Sequence, residues 1–92
     1  MRTQKLESYS TRLMRTQQWS RMNQIRTIGD LGAIIREERR TQGLTQTELA
    51  GFSGVGLTFI SNLENGKQTA EVGKVLQVVE TLGLDLYVER RA

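Results

Sequence analysis

The segment 57–62 carries side chains that can contact the edges of nucleic acid bases, namely those of Leu57, Thr58, Ser61 and Asn62. At about 100° per residue of an α-helix, these four share one face. Ile60 and Leu63 lie on the opposite, apolar face, so burying them turns the first face outward. The amide of Asn62 can form paired hydrogen bonds with an adenine edge, and Leu57 can pack on a thymine methyl group.

Two short helices joined by a glycine-bearing turn must position this face. Thr45 and Glu48 are spaced as a capping box, in which a hydroxyl and a carboxylate bind backbone amides at a helix start. We expect Phe52 to continue the apolar surface of this helix. Gly54 suits a left-handed turn, and the next helix should begin near Gly56. This is how a small protein presents one helix to the DNA major groove.

Two further helices flank the pair. Thr27 and Asp30 mark another capped start, and the apolar stripe that follows runs until Gly43. We expect Thr69 to cap a last helix over about residues 70–82. The pattern predicts an all-α bundle of four to five helices.

The end of the chain alternates like one β-strand, with Leu84, Leu86 and Val88 separated by Asp85 and Tyr87. A lone strand in a helical chain leaves its backbone groups without partners. Pairing with a second copy satisfies them, so we expect a homodimer with Leu84, Leu86 and Val88 at its interface. The alternative is a frayed polar tail on a monomer.

The composition argues against several classes of function. The 92 residues make one small domain, and they include no Cys and no His. Thiol nucleophiles, Cys/His zinc sites and histidine acid–base chemistry are therefore excluded, and we expect neither an enzyme nor a metal or other cofactor. No apolar run of about 18 residues and no secretory signal occur, which predicts no membrane contact and a location in the bacterial cytoplasm, at the nucleoid.

The positive charge is concentrated at one end of the chain. The net charge is +3, with six basic residues and one acidic residue in 1–27, against seven basic and nine acidic residues in 28–92. We expect 1–27 to be a flexible basic arm, 28–82 the DNA-binding domain and 83–92 the dimerisation strand and tail. The arm is interpreted as a solvated tail, as a segment that follows the DNA backbone or minor groove, or as a partner-binding segment anchored by Trp19.

The joint pattern of core residues, caps and glycines resembles the Cro and phage-repressor class of helix-turn-helix proteins, often called the XRE family. The pattern spans roughly 28–82 and consists of Leu31, Ile35, Arg39, Gly43-Leu44-Thr45-Gln46, Leu49-Ala50, Val55, Ile60-Ser61 and Leu63-Glu64-Asn65-Gly66-Lys67. The resemblance implies a lambda-repressor-like fold. Within the class, the chain looks most similar to HipB-type antitoxins. That narrower resemblance implies a dimeric repressor of an operon that encodes a HipA-type kinase toxin.

Contacts to the DNA backbone can be assigned around the outward face of the third helix, which we call the reading face and which consists of Leu57, Thr58, Ser61 and Asn62. Gln46 lies at the start of the second helix, where its side chain and the helix amides can meet a DNA phosphate. Lys67 and Asn65 follow the third helix and are expected to bind phosphate as well. The family resemblance implies that Arg39 and Glu64 form a partly buried structural ion pair.

These assignments lead to one main function and two alternatives. A dimer places two recognition helices about 34 Å apart, so the expected partner is double-stranded DNA carrying an inverted-repeat operator. The main interpretation is a sequence-specific repressor that autoregulates a toxin–antitoxin operon. The alternatives are an antitoxin that acts mainly by holding the kinase toxin, and a phage-type repressor unrelated to a toxin.

Overall fold

The computed structural model describes residues 24–91, and this range contains four helices. They are α1 (Ile28–Thr41), α2 (Gln46–Ser53), α3 (Leu57–Glu64) and α4 (Val72–Thr81). The all-α architecture expected from the sequence is confirmed for the described residues. Most of the arm expected over 1–27, including Trp19, lies outside them.

Capping boxes fix the starts of α1 and α2, as the sequence predicts. The backbone amide of Asp30 donates to Thr27 Oγ1 over 3.1 Å, and the Asp30 carboxylate accepts from the Thr27 amide. Thr45 and Glu48 cap the start of α2 in the same way. The Glu48 amide donates to Thr45 Oγ1 over 3.0 Å, and the Thr45 amide donates to Glu48 Oε1 over 2.9 Å. Gly54 ends α2 in the left-handed region at φ 72°, so the turn before α3 needs glycine.

The core lies where the helices meet, and its fully buried side chains are Ile35, Leu49, Ile60, Leu63 and Val78. Helix α1 packs against α3, and α2 packs against both α3 and α4. Gly32 allows the first of these contacts, because a Cβ there would overlap the carbonyl oxygen of Leu63. The end of α3 is therefore held directly against the backbone of α1.

Two details of the helices differ from the sequence predictions. Helix α4 begins at Val72 with Glu71 as its N-cap, and the expected cap Thr69 lies in the preceding turn. The chain turns away from α3 at Gly66, which is left-handed, and the residues between Gly66 and Glu71 complete this turn. Helix α4 can therefore begin only after them. Phe52 is 67% exposed, because the buried face of α2 consists of Leu49, Ala50 and Ser53.

The predicted C-terminal strand is absent from the described part of this chain. Residues 84–91 follow α4 without regular secondary structure. Leu84 is half-buried against the core, and its amide donates to the Val79 carbonyl over 3.0 Å. A strand requires hydrogen bonds to a neighbouring strand, and 24–91 offers none. Within the same range, no helix combines the length and the apolar content needed to cross a membrane.

Candidate DNA interface

Helix α3 presents the polar face expected from its sequence. Ile60 and Leu63 are fully buried, and Thr58 and Leu57 are exposed on the other side, Leu57 by 48%. The remaining two residues of the face, Ser61 and Asn62, are half-buried at its edge. Within residues 24–91, none of the three polar side chains of this face hydrogen-bonds to the protein. Their donors and acceptors are therefore free for a ligand.

An ion pair holds the end of α3 to α1. Arg39 Nε lies 2.7 Å from Glu64 Oε2, and Arg39 Nη2 donates to Glu64 Oε1 over 3.0 Å. The third guanidinium nitrogen, Nη1, donates to the Leu44 carbonyl over 2.8 Å. The pair therefore connects α1, the loop before α2 and the last residue of α3. Such bidentate geometry is specific to arginine.

Electrostatics keep both members of the pair charged. Burial raises the pKa of Glu64, but hydrogen bonds from Arg39 and Gln46, with the charges of Arg39 and Arg36, outweigh it and leave that pKa below its usual value. The hydrogen bond to Glu64 raises the pKa of Arg39, and burial opposes this. Glu64 is therefore a carboxylate at neutral pH and accepts hydrogen bonds from Arg39 and Gln46.

Gln46 is part of the same network. Its Nε2 donates to Glu64 Oε1 over 3.0 Å, so the side chain joins the start of α2 to the end of α3. One of the two Nε2 hydrogens is thus used inside the protein, a contact that the sequence did not predict. The other hydrogen, and the unpaired amides of the first turn of α2, remain for an anion.

Asn65 and Lys67 lie at the surface just after α3, where the sequence places them. Both residues are exposed. The Lys67 amide donates to the carbonyl of Asn62 over 2.9 Å, which ties the loop back to α3. The loop therefore has a defined position next to the outward face of α3.

The structure adds two residues that sequence reasoning missed. Arg36 and Arg40 line a groove of about 570 Å³ between α1, the first turn of α2 and the two ends of α3. Gln46, Leu57 and Asn65 line the same groove. The spacing of arginines at 36, 39 and 40 on one face of α1 was the available signal.

Two short helices joined by a glycine turn, with a free polar face on the second, define a helix-turn-helix DNA-binding domain. The sequence profile of the Helix-turn-helix family HTH_3 matches residues 35–88, more than half of the chain. The chain belongs to this XRE-type family of DNA-binding transcriptional regulators. The resemblance found in the sequence is thereby confirmed, and the protein is a regulator and not an enzyme.

Among the proteins similar in sequence to this chain are one from a bacterium and one from a phage. An uncharacterized HTH-type transcriptional regulator, y4mF of Sinorhizobium fredii (strain NBRC 101917 / NGR234), is 56% identical over 62 residues, which cover 67% of this chain and 82% of that protein. The ImmF control region 10 kDa protein of Bacillus phage phi105 is 34% identical over 58 residues, 63% of this chain and 64% of the phage protein. The similarity therefore extends to a bacterial regulator and to a phage protein.

Solved structures of HipB have a similar fold. The structure of a HipA–HipB–O2–O3 complex contains a chain with a TM-score of 0.69 and 25% identity, over 75% of this chain and 97% of that one. A HipB–O4 20mer complex gives a TM-score of 0.68 at the same identity and coverage. At this identity, the more specific resemblance to HipB-type antitoxins remains a proposal.

Proposed function

We propose that the protein is a sequence-specific repressor that reads its operator with the outward face of α3. One observation carries this proposal: burial of Ile60 and Leu63 leaves a surface whose polar side chains have no partner within the described chain. Asn62 would bind an adenine edge, and Thr58 and Ser61 would reach bases or phosphates. Leu57 would pack on a thymine methyl group.

Phosphate contacts on both sides of α3 would set its register on the duplex. On one side, Lys67 and Asn65 are exposed in the loop after α3. On the other side, the first turn of α2 offers the free amides of Gln46 and Thr47 and the second Nε2 hydrogen of Gln46. Such contacts orient a protein on DNA without reading sequence.

A second copy of the chain would complete the DNA-binding unit. In the C-terminal segment 84–88, Leu86 is 44% exposed and Val88 is 98% exposed. Next to them lies an apolar groove of about 350 Å³, to which Ile34, Val79 and Leu84 contribute. Strand pairing between two copies of 84–88 would cover this surface and satisfy its backbone. The resulting dimer would fit an inverted repeat with half-sites about 34 Å apart.

The biological role we assign is that of a HipB-like antitoxin that autoregulates the operon of a HipA-type kinase toxin. The fold similarity to HipB chains, over 97% of their length, supports this assignment. The likeness to the protein from an ImmF control region favours the phage-type alternative, a repressor without a toxin. The gene next to this one separates the two: a kinase gene supports the first, and phage genes support the second.

A second candidate function is that of an antitoxin that acts mainly by holding its toxin. Val72 and Leu76, one turn apart on α4, are 70% and 46% exposed, and this apolar face favours a protein partner. The two functions make different predictions for variants. Asn62→Ala should abolish repression and leave toxin binding intact, whereas Leu76→Asp should release the toxin if holding it is the main role.

The direct experiment for DNA binding is a gel shift of the purified protein on the DNA upstream of its own gene, repeated at several salt concentrations. We expect retardation at sub-micromolar protein in moderate salt, weakening as salt rises. A control duplex of the same length and shuffled sequence should require much more protein. No retardation of the upstream DNA under these conditions would refute the proposed function.

A further inference from the structure

The groove that contains Arg36 and Arg40 opens beside the proposed reading face. Leu57, the first residue of α3, belongs both to that face and to the groove lining. Asn65 lines the groove at the other end of α3. A DNA duplex whose major groove accepts α3 would therefore bring a backbone strand to this groove.

The floor of the groove, formed by Arg39 and Glu64, has no net charge. Its rim, formed by Arg36 and Arg40, is positively charged. Arg39 and Glu64 neutralise each other at 2.7 Å, and Glu64 is the only carboxylate among the described residues of the lining. Neither Arg36 nor Arg40 has a carboxylate oxygen within 4.0 Å in residues 24–91. The groove thus carries two uncompensated positive charges on a folded body whose acidic residues outnumber its basic ones.

The two rim arginines are also unfavourable for the helix that carries them. Arg36 and Arg40 stand at i and i+4 on α1, where like charges cost about 0.2–0.5 kcal/mol. The negative end of the helix dipole favours Arg40 in the last turn, but Arg36 lies one turn earlier. An anion between the two guanidinium groups would turn this repulsion into attraction.

We propose that Arg36 and Arg40 bind a phosphate of the DNA backbone next to the major groove contacted by α3. Thr45, Gln46 and Thr47 form the opposite wall of the groove, where the amides of Gln46 and Thr47 lack intrahelical partners. The groove provides charge from one side and hydrogen-bond donors from the other, which suits an oxyanion. This inference rests on the proposed operator binding, and it adds Arg36 and Arg40 of α1 to the residues that contact DNA.

A phosphate contact has a distinct signature in solution. Each contact releases counterions, so log K falls against log salt concentration with a slope of about 0.9 for every phosphate neutralised. One phosphate bound between Arg36 and Arg40 in each protomer of a dimer therefore accounts for about 1.8 of the total slope. Because a phosphate is the same at every base pair, the preference for operator over shuffled DNA should not depend on them.

The test compares three double variants with wild-type protein by fluorescence anisotropy on operator DNA across salt. Arg36→Gln/Arg40→Gln removes the rim charges, and Arg36→Lys/Arg40→Lys keeps them. Lys74→Gln/Arg90→Gln is the matched control, since it removes two positive charges from exposed residues that line neither this groove nor the groove beside the C-terminal segment. We expect the glutamine variant to flatten the salt slope by about 1.8 while keeping its operator preference. The lysine variant should retain most of the wild-type slope.

The outcomes separate this inference from the proposed function. If wild-type protein binds its operator with a steep salt slope and the Arg36→Gln/Arg40→Gln variant has the same slope as the Lys74/Arg90 control, the rim is not a phosphate site, and the repressor function stands. Equal flattening in the lysine and glutamine variants, with folding intact by circular dichroism, would also overturn the phosphate assignment. Failure of wild-type protein to bind DNA would overturn both proposals.

Discussion

Arg39 and Glu64 meet in a two-point ion pair, with Nε 2.7 Å from one carboxylate oxygen and Nη2 3.0 Å from the other. Their side chains are 10% and 2% exposed. Gln46 donates to the same carboxylate over 3.0 Å, so one anionic group connects α1, α2 and α3. The orientation of α3 relative to α1 and α2 therefore depends on Glu64 remaining ionised and paired.

Removing one partner of this pair should destabilise the protein more than removing both. Arg39→Met leaves a buried carboxylate without its cation, and we expect a loss of about 3 kcal/mol in the free energy of unfolding. Arg39→Met/Glu64→Leu removes both charges and should lose less. Urea unfolding of wild-type protein and the variants measures this double-mutant cycle. A double variant less stable than either single variant would contradict the expectation.

Acid should weaken the fold through Glu64. Its pKa in the folded protein lies below the ordinary 4.5, so the unfolded chain takes up the proton first as pH falls. The contribution of Glu64 is complete above about pH 4.5 and is lost as pH falls through the folded pKa. As pH falls below about 4.5, the free energy of unfolding of Glu64→Gln should therefore depend less on pH than that of wild-type protein. Equal pH dependence would contradict this.

The pKa of Asp30 is also lowered, but Asp30 does not confuse the comparison. Hydrogen bonds from the backbone amides of Arg26 and Thr27 lower its pKa. Both proteins retain this carboxylate, so its contribution cancels in the difference. Only the part of the pH dependence that disappears in Glu64→Gln is assigned to the ion pair.

Gly32 should not tolerate even a methyl group. A Cβ there would overlap the carbonyl oxygen of Leu63 and lie 3.2 Å from Glu64 Cα, so α1 and α3 would have to separate. We expect Gly32→Ala to lose about 1–3 kcal/mol of stability. Gly51→Ala is the matched control, because a Cβ there meets nothing within 4 Å and alanine favours helix. Thermal unfolding that ranks Gly32→Ala equal to the control would refute the close contact.

Local signals in the sequence predicted most of the fold. The hydroxyl and acidic spacing at Thr27 and Thr45 identified two helix starts, because a capping box acts within four residues. The start of α4 was predicted too early, since Glu71 caps it without a side-chain bond and the turn before it has no strong local signature. Phe52 was placed inside because its type suggested burial, whereas its angle on α2 leads to solvent.

The site was predicted less completely, because part of it depends on distant contacts. Helical geometry alone separated the face of α3 that contains Asn62 from the buried Ile60. The hydrogen bond from Gln46 to Glu64 joins residues 18 positions apart, and no local pattern encodes it. The groove rim at Arg36 and Arg40 likewise exists only after α1 packs beside α2 and α3.

Acidic substitutions in the C-terminal segment should break the proposed dimer. Val88 is 98% exposed in the single chain, so Val88→Asp should leave the stability of a monomer unchanged within about 0.5 kcal/mol. We expect it, and Leu86→Asp, to shift the mass measured by light scattering from dimer to monomer and to weaken operator binding. Phe52→Asp changes a similarly exposed apolar residue on α2 and should remain dimeric. Dimeric Val88→Asp and Leu86→Asp would refute the interface.

The most direct measurement of sequence reading by α3 is the ratio of affinities for operator and shuffled duplexes at one salt concentration, before and after Asn62→Ala. The operator can be obtained by selection from random duplexes. If Asn62 binds a base, the ratio should fall by a factor equivalent to about 1–3 kcal/mol per half-site. Binding to shuffled DNA should not change. Loss of affinity for both duplexes by the same factor, or an unchanged ratio for Asn62→Ala and Thr58→Ala, would contradict base reading by this face.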